Sequence, residues 1–152
     1  MPLTRILSAA GMSQVFRVDY PIRFSHCDPA GIVYFPRFFD LLHQAMEDWF
    51  THGLNERFSE LVTDKGLGTP TVSTQCDFIS PARFGDTLTI ELTILRLGNA
   101  SVELLFQASV QGRACFKCRH TICLFDRASV KAVPLPEDLR RRMQAYLAAP
   151  AT

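Results

Sequence analysis

Residues 24–50, FSHCDPAGIVYFPRFFDLLHQAMEDWF, decide the fold of this chain. From Phe35 onward the apolar residues recur at the i, i+3, i+4, i+7 spacing of one helical face, and charged and amide residues occupy the other face. Pro36 suits the first turn of a helix because its missing N–H has no intrahelical partner there, and Gly53 suits the end. The stretch therefore predicts a long helix with one buried face, preceded by a short acidic loop. The apolar face consists of Phe38, Phe39, Leu42, Ala45, Met46, Trp49 and Phe50.

The rest of the chain has mainly the alternating pattern of strands. A half-buried strand precedes the loop, and a series of four strands joined mostly by short turns follows the helix. No helix separates these later strands, so a doubly wound parallel sheet is excluded. The pattern favours an α+β fold in which an antiparallel five-stranded sheet wraps around one long central helix. The predicted strands are 15–24, 71–80, 87–97, 101–111 and 114–126, and two shorter helices are predicted at 57–64 and 137–147.

Length and composition predict one globular domain. The 152 residues are enough to bury a core without metal or disulfide support, and the hydrophobic content is 47%. The formal charge of +1 gives no sign of nucleic-acid binding, and no apolar run is long enough for a membrane span. The five cysteines lie in apolar segments and fit reduced thiols, which indicates a cytoplasmic protein. We expect residues 1–13 to be a disordered tail, possible start sites being Met1 and Met12, and residues 14–152 to be the domain.

Asp28 is the candidate catalytic residue. It lies in the sequence Asp-Pro-Ala-Gly, in which Pro29 removes a backbone donor and Gly31 permits a backbone conformation closed to other residues. The N-terminus of the following helix adds unpaired N–H donors and a positive dipole end, which can stabilise an oxyanion. The loop thus predicts a carboxylate beside an oxyanion site. The plain alternative is that Asp28 only supports a turn or caps the helix.

The run HCDPAGIVYFPRFFD resembles the signature of the 4-hydroxybenzoyl-CoA thioesterase family, whose members have the hotdog fold. The resemblance continues through Gly68-Thr69-Pro70 and through the turn at 85–88. It implies that Asp28 acts on an acyl-CoA thioester, either as a nucleophile or as a general base. It also places an oxyanion-binding backbone N–H at Phe35. The resemblance implies no metal and no cofactor other than the coenzyme A of the substrate.

Five further residues are candidates for substrate binding. Gly31 shapes the loop, and His26 has either a direct role or a structural one. Tyr34 belongs to a group of aromatics that suggests an apolar or aromatic acyl group. Thr69 resembles a substrate-side residue of the family, although it also suits the start of a strand. His43 stands where the family has a carboxylate near the aryl hydroxyl, so the aryl group, or its hydroxyl, is uncertain as a substrate feature.

Two other patterns have weaker functional interpretations. The trio of His26, Cys27 and Asp28 could suggest a metal site or a Cys–His pair, but no nearby spacing supplies further metal ligands. Cys115 and Cys118 form a CxxC within a predicted strand, where positions three apart face opposite sides of the sheet. No second CxxC completes a zinc site, so we predict an ordinary strand.

Taken together, these features predict an acyl-CoA thioesterase. The alternatives are a hotdog hydratase or dehydratase that uses His26 with Asp28, and a non-catalytic acyl-CoA-binding module. We expect a homo-oligomer, a dimer or a tetramer, because exposed sheet edges would be covered by pairing two sheets. In the resembling family the active sites lie between two subunits. No nucleic-acid or membrane partner is expected.

Overall fold

A six-stranded antiparallel sheet packs against the central helix α1 in the computed structural model, which describes residues 4–7 and 13–148. The order of strands in this sheet is β1-β2-β5-β6-β7-β4, and β3, β8 and β9 form a small separate sheet. The helices are α1 (Phe35–Asp48), α2 (Phe58–Thr63) and α3 (Glu137–Gln144). The strands are β1 (Thr4–Leu7), β2 (Gln14–Pro21), β3 (Leu67–Gly68), β4 (Thr71–Phe78), β5 (Thr87–Leu97), β6 (Ser101–Val110), β7 (Arg113–Cys123), β8 (Phe125–Asp126) and β9 (Lys131–Ala132).

The core lies between α1 and one face of the sheet. Helix α1 is followed by a π-helical turn at Trp49–Gly53, which continues the same buried face. The register sets Phe106 of β6 opposite Leu92 of β5 and Cys118 of β7, so that side chains of three adjacent strands meet the helix together. The predicted helix and the predicted antiparallel sheet are therefore confirmed. Buried residues of α1 and the turn are Phe38, Leu41, Leu42, Ala45, Met46, Trp49 and Phe50.

One hydrogen bond ties the first long strand to the end of α1. The Tyr20 hydroxyl donates to Asp48 Oδ2. Burial and the neighbouring Asp48 carboxylate raise the pKa of Tyr20 far above its ordinary value. The hydroxyl therefore stays protonated and keeps this donor at every physiological pH.

The ends of three predicted elements differ from the structure. Strand β2 ends at Pro21, so Phe24, predicted on its buried side, lies in a one-turn helix and is 80% exposed. The last predicted strand breaks after Cys123, and β8 pairs with β3 instead. Thr4–Leu7 pairs with the start of β2, which contradicts the predicted tail for these four residues. The pairing supplies partners for the outer edge of β2. Residues 1–3 and 8–12 of that predicted tail lie outside the described residues.

Two cysteine predictions are also wrong. Cys76 and Cys118 form a disulfide between directly opposed positions of β4 and β7, where their Cα atoms are 4.1 Å apart, although the sequence predicted reduced thiols. Cys115 is the extra residue of a bulge, since Ala114 and Phe116 pair with consecutive residues of β6. The bulge turns Cys115 inward, so both cysteines of the CxxC are buried.

Strand β4 forms one edge of the sheet. Among the strands of the described residues it pairs with β7 alone, and seven of its eight residues are exposed. Among the described residues 4–7 and 13–148, no helix has the length and apolar character needed to cross a membrane.

Candidate active site

The loop before α1 is a tight turn closed by its own backbone. Cys27 and Val33 face each other as a β-bridge, and inside it the Asp28 N–H donates to the Ile32 carbonyl over 3.0 Å. The Gly31 N–H donates back to the Asp28 carbonyl over 2.9 Å. Gly31 has a φ of +78°, a conformation that L side chains rarely adopt, and open space surrounds the position of a Cβ. The predicted role of Gly31 in shaping the turn is confirmed, and it depends on backbone conformation alone.

The Asp28 carboxylate supports this turn and also faces a cavity. Its Oδ1 accepts a hydrogen bond from the Ala30 N–H over 2.9 Å, the pattern of an Asx turn. Within the described residues Asp28 forms no salt bridge, and no protein donor reaches its Oδ2. One carboxylate oxygen is thus held by the loop while the other is left for a ligand. The cavity, of about 430 Å³, is lined by Phe24, Cys27, Asp28, Pro29, Gly31 and Phe84.

The first turn of α1 provides the neighbouring donor. The Arg37 N–H is satisfied by the Tyr34 carbonyl over 2.8 Å, whereas the Phe35 N–H has no acceptor in the described part of the chain. Pro36 has no N–H at all. Within the described residues, Phe35 therefore has a free backbone donor at the start of α1, and this is the N–H that the resemblance implies for the oxyanion. This N–H is four residues beyond Gly31, at the other end of the same loop.

A second cavity, of about 290 Å³, adjoins the start of α1 and is strongly aromatic. Phe38 stacks on Phe116 with ring centroids 5.0 Å apart and planes 2° apart. Phe78 stands edge-on to Phe35 at 5.9 Å and packs against Phe116 at 5.1 Å. Rings in these arrangements form a rigid apolar wall. The cavity is lined by Ile32, Val33, Phe35, Phe38, Phe78, Ile79, Ser80, Pro81 and Cys115.

His26 is fixed beside the loop in its neutral form. Its Nδ1 accepts the Arg23 N–H over 2.8 Å, so the neutral ring carries its proton on Nε2. Burial, and then the positive charges of Arg23 and Arg37, lower the pKa of His26. The His26 carbonyl accepts the Tyr34 N–H over 2.9 Å, which joins the two ends of the loop. His26 thus has a clear structural role.

Cys27 does not form a reactive pair with His26. Burial and the neighbouring Asp28 carboxylate raise the pKa of the Cys27 thiol, which keeps it protonated and weakly nucleophilic. Its sulfur contacts the Arg23 carbonyl at 3.5 Å. No cluster of three or more histidine, cysteine or acidic residues within 4–7 and 13–148 could hold a metal ion.

Within one chain, the structure brings some of the predicted site residues together and leaves others apart. Asp28, Gly31, His26, Tyr34 and Phe35 all lie in or beside the loop. The exposed Tyr34 ring packs against the Phe35 ring at 5.6 Å.

His43 and Thr69 lie elsewhere. His43 is eight residues beyond Phe35 on α1, a distance of about 12 Å, where its Nδ1 lies 3.5 Å from Glu47 Oε2. Thr69 precedes β4 at the end opposite Phe78, about 25 Å away along the strand. Beside it, Thr71 Oγ1 lies 3.3 Å from His120 Nε2. His43 and Thr69 therefore lie far from the Asp28 loop of their own chain, toward the end of α1 and before the start of β4.

Sequence reasoning missed the residues that β4, β7 and the following loop contribute. Phe78, Ser80 and Cys115 line the aromatic cavity, and Phe84 lines the cavity of Asp28. Arg113 Nη1 fixes one wall by donating to Ser80 Oγ over 2.6 Å. The sequence signal for this part of the site was the apolar pair 78–79, which comes after a mostly polar strand.

Comparison with known proteins agrees with this architecture. The model of the thioesterase-like superfamily matches residues 22–143. A 4-hydroxybenzoyl-CoA thioesterase of Pseudomonas sp. is 36% identical over 84 residues, which cover 55% of this chain and 60% of that protein. A 1,4-dihydroxy-2-naphthoyl-CoA hydrolase of Prochlorococcus marinus is 30% identical over 132 residues, which cover 82% of this chain and 84% of that protein.

A solved structure shows the same likeness in three dimensions. The structure of a gentisyl-coenzyme A thioesterase superposes with a TM-score of 0.76 at 27% identity, covering 84% of this chain and 98% of the other. The antiparallel sheet around one helix is thus the hotdog fold that the sequence resemblance implies. Since the family match extends from the Asp28 loop through α3, this chain belongs to the thioesterase-like superfamily.

Proposed function

We propose that this protein hydrolyses an acyl- or aryl-CoA thioester to the free acid and coenzyme A. The observation that carries the proposal is that one tight loop has the Asp28 carboxylate at its start and the free Phe35 N–H at its end. Membership of the thioesterase-like superfamily supports the same chemistry. A cavity adjoins each of the two groups, so a thioester carbonyl between them has space for its two substituents.

The two groups have complementary roles in the reaction. The Phe35 N–H donates to the carbonyl oxygen as negative charge develops on it. Asp28 either attacks the carbonyl carbon, forming a mixed anhydride and expelling the thiolate, or removes a proton from an attacking water. In the first case a water then hydrolyses the anhydride and restores the carboxylate. Both routes consume one water and release one acid and one thiol.

The acyl group is proposed to be aromatic. Phe35, Phe38 and Phe78 line the aromatic cavity and form walls that suit a flat ring. The buried Phe116, stacked on Phe38, supports these walls from behind. The named relatives act on hydroxybenzoyl, dihydroxynaphthoyl and gentisyl thioesters, which are all aryl groups. Tyr34 extends the aromatic surface at the entrance.

The active form is proposed to be a homo-oligomer paired through β4. This edge strand is open, with Val72 63% and Phe78 51% exposed, and antiparallel pairing with a second copy would cover both. Such pairing sets the start of one β4 against the end of the other. His43 and Thr69 of one copy would then approach the Asp28 loop of the other, which would make them substrate-binding residues across the interface.

Release of free thiol from a panel of acyl-CoAs tests the proposal. The panel should include benzoyl, hydroxybenzoyl, naphthoyl and short aliphatic thioesters, with chemical hydrolysis subtracted. We expect thiol release that is fastest for an aryl thioester. Binding without thiol release would favour the acyl-CoA-binding module, and hydration of an enoyl-CoA would favour the hydratase. The cytoplasmic location expected from the sequence is a further part of this proposal, and it now rests on the three free thiols of Cys27, Cys115 and Cys123, since Cys76 and Cys118 form a disulfide.

A further inference from the structure

The proposed mechanism assigns no part of the substrate to the cavity that Asp28 lines. We call it the carrier cleft and define it by Phe24, Cys27, Asp28, Pro29, Gly31 and Phe84. It shares no lining residue with the aromatic cavity, although Gly31 of the first and Ile32 of the second are adjacent in the sequence. A thioester has an acyl arm and a thiol arm on opposite sides of its carbonyl. If the aromatic cavity takes the acyl arm, the carrier cleft is left for the thiol arm.

Exposed aromatic rings line the carrier cleft. Phe24 is 80% exposed and Phe84 is 59% exposed, and their rings meet edge to face at 6.0 Å. Neither ring belongs to the core. Large apolar side chains that flank a cavity while exposed to water are typical of a binding site, because binding removes their surface from water. The pantetheine part of coenzyme A, a narrow chain of methylene and amide groups, suits such a surface.

An arginine without an ion pair in the described part of the chain comes directly before each of these phenylalanines in the sequence. Arg23 precedes Phe24 and Arg83 precedes Phe84, and both are exposed. In the described part of the chain neither guanidinium forms an ion pair, whereas Arg37 pairs with Asp40 at 3.1 Å. The charge of Arg23 is felt at the loop, since it contributes to the lowered pKa of His26. Exposed guanidinium groups without an ion pair are suited to phosphate oxygens, which they bind in a forked geometry.

We propose that the carrier cleft binds the phosphopantetheine arm of coenzyme A, with Phe24 and Phe84 against the pantetheine and Arg23 and Arg83 on the phosphates. This inference rests on the proposed thioesterase function and names how its carrier is held.

Three thioesters of one acyl group test the assignment, because they shorten the thiol arm in steps. Acyl-CoA carries the whole arm, acyl-pantetheine lacks the phosphates, and the N-acetylcysteamine thioester lacks most of the pantetheine. The double variant Arg23→Glu/Arg83→Glu should lower the ratio of kcat/KM for the CoA ester to that for the pantetheine ester by about tenfold or more. The double variant Phe24→Ala/Phe84→Ala should instead lower the ratio of the pantetheine ester to the N-acetylcysteamine ester.

A matched control and a binding measurement keep the outcome clear. The double variant Lys131→Glu/Arg141→Glu makes the same total charge change at two exposed positions that do not line the carrier cleft, and it should leave both ratios unchanged. Calorimetric titration with free coenzyme A and with pantetheine measures binding without any reaction. Ratios and CoA affinity within about twofold of the parent in the arginine variant would overturn the inference. Arginine-dependent CoA binding by a parent that cleaves no thioester would support the inference and overturn only the proposed hydrolysis.

Discussion

The carboxylate of Asp28 accepts a hydrogen bond from the Ala30 N–H over 2.9 Å, so this side chain orders the loop that presents it to a cavity. The observed turn role and the proposed catalytic role therefore fall on one residue, and a substitution must separate them. Asparagine keeps an oxygen for the Ala30 N–H but supplies neither an anionic nucleophile nor a proton acceptor.

Asp28→Asn should slow thiol release by about 10² to 10⁴ while the melting temperature stays near that of the parent. Asp86→Asn is the matched control, because Asp86 Oδ2 likewise accepts a backbone N–H, that of Arg83, over 2.8 Å and lines neither cavity. Thiol release and circular dichroism melting are measured for both variants. An Asp28→Asn protein with more than about half of the parent rate would remove Asp28 from the mechanism.

The Phe35 N–H can be deleted without changing the helix. Phe35 is the first residue of α1, where proline is well tolerated, and Tyr34 before it is extended with a ψ of 124°, as a residue before proline should be. Phe35→Pro should lower kcat by about 10² to 10³ relative to Phe35→Ala, since both variants lose the ring but only one loses the donor. Equal rates for the two variants, with unchanged helix content, would exclude this N–H as the oxyanion donor.

The sequence predicts the central helix and the loop well because both depend on local pattern. The apolar period from Phe38 to Phe50 survives in the structure, and the tight turn follows from Gly31, whose positive φ few other residues adopt. The bulge at Cys115 and the breaks in the first and last strands were missed. They depend on how neighbouring strands register, which an alternating pattern does not encode.

The candidate site was predicted only for the residues that are close in sequence to Asp28. Phe78 and Phe84 reach the site from the end of β4 and from the next loop, some fifty residues later in the chain. The apolar pair 78–79 was a weak local signal for Phe78, whereas Phe84 lies in an ordinary turn pattern, where nothing local marks it as a site residue. His43 and Thr69 came from the family resemblance, and only the proposed second copy of the chain would bring them to the Asp28 loop.

His120 should make stability depend on pH. Burial, and then the nearby His43, lower the pKa of His120 below its ordinary value of about 6.5, and its Nδ1 is buried without a partner. The unfolded chain therefore binds a proton more readily than the folded protein. The stability due to the neutral ring is fully present above about pH 6.5, and it is lost as pH falls through the window between 6.5 and the lower folded pKa.

The free energy of unfolding should accordingly fall from pH 7.5 toward pH 5 in the parent, and fall less steeply in His120→Gln. Urea denaturation at a series of pH values measures both slopes. Identical slopes for parent and variant would show that His120 does not contribute to the pH dependence. Glutamine keeps a polar group that can reach Thr71 Oγ1, so the comparison isolates the titration.

Two copies of the chain should share each active site, so that catalysis depends on assembly. His43 lies about 12 Å along α1 from Phe35, too far to join the Asp28 loop of its own chain, while antiparallel pairing of β4 would bring it to the loop of a second copy. His43→Ala should then lower kcat/KM by about tenfold or more through loss of substrate positioning, and Asp28→Asn should abolish most activity.

Mixing the two impaired proteins separates a shared site from a site within one chain. In a dimer with one copy of each variant, both changes fall in the same site and the other site is intact. Random mixing makes about half of the dimers mixed, so co-expression of Asp28→Asn with His43→Ala should restore about a quarter of the parent activity. Mixing Asp28→Asn with His26→Ala is the internal control, because His26 lies in the same loop as Asp28 and each site of that dimer keeps one defect. Sedimentation must show a dimer or larger in both mixtures. Activity of the first mixture no higher than the mean of its two parts would place His43 outside the site and confine the chemistry to a single chain.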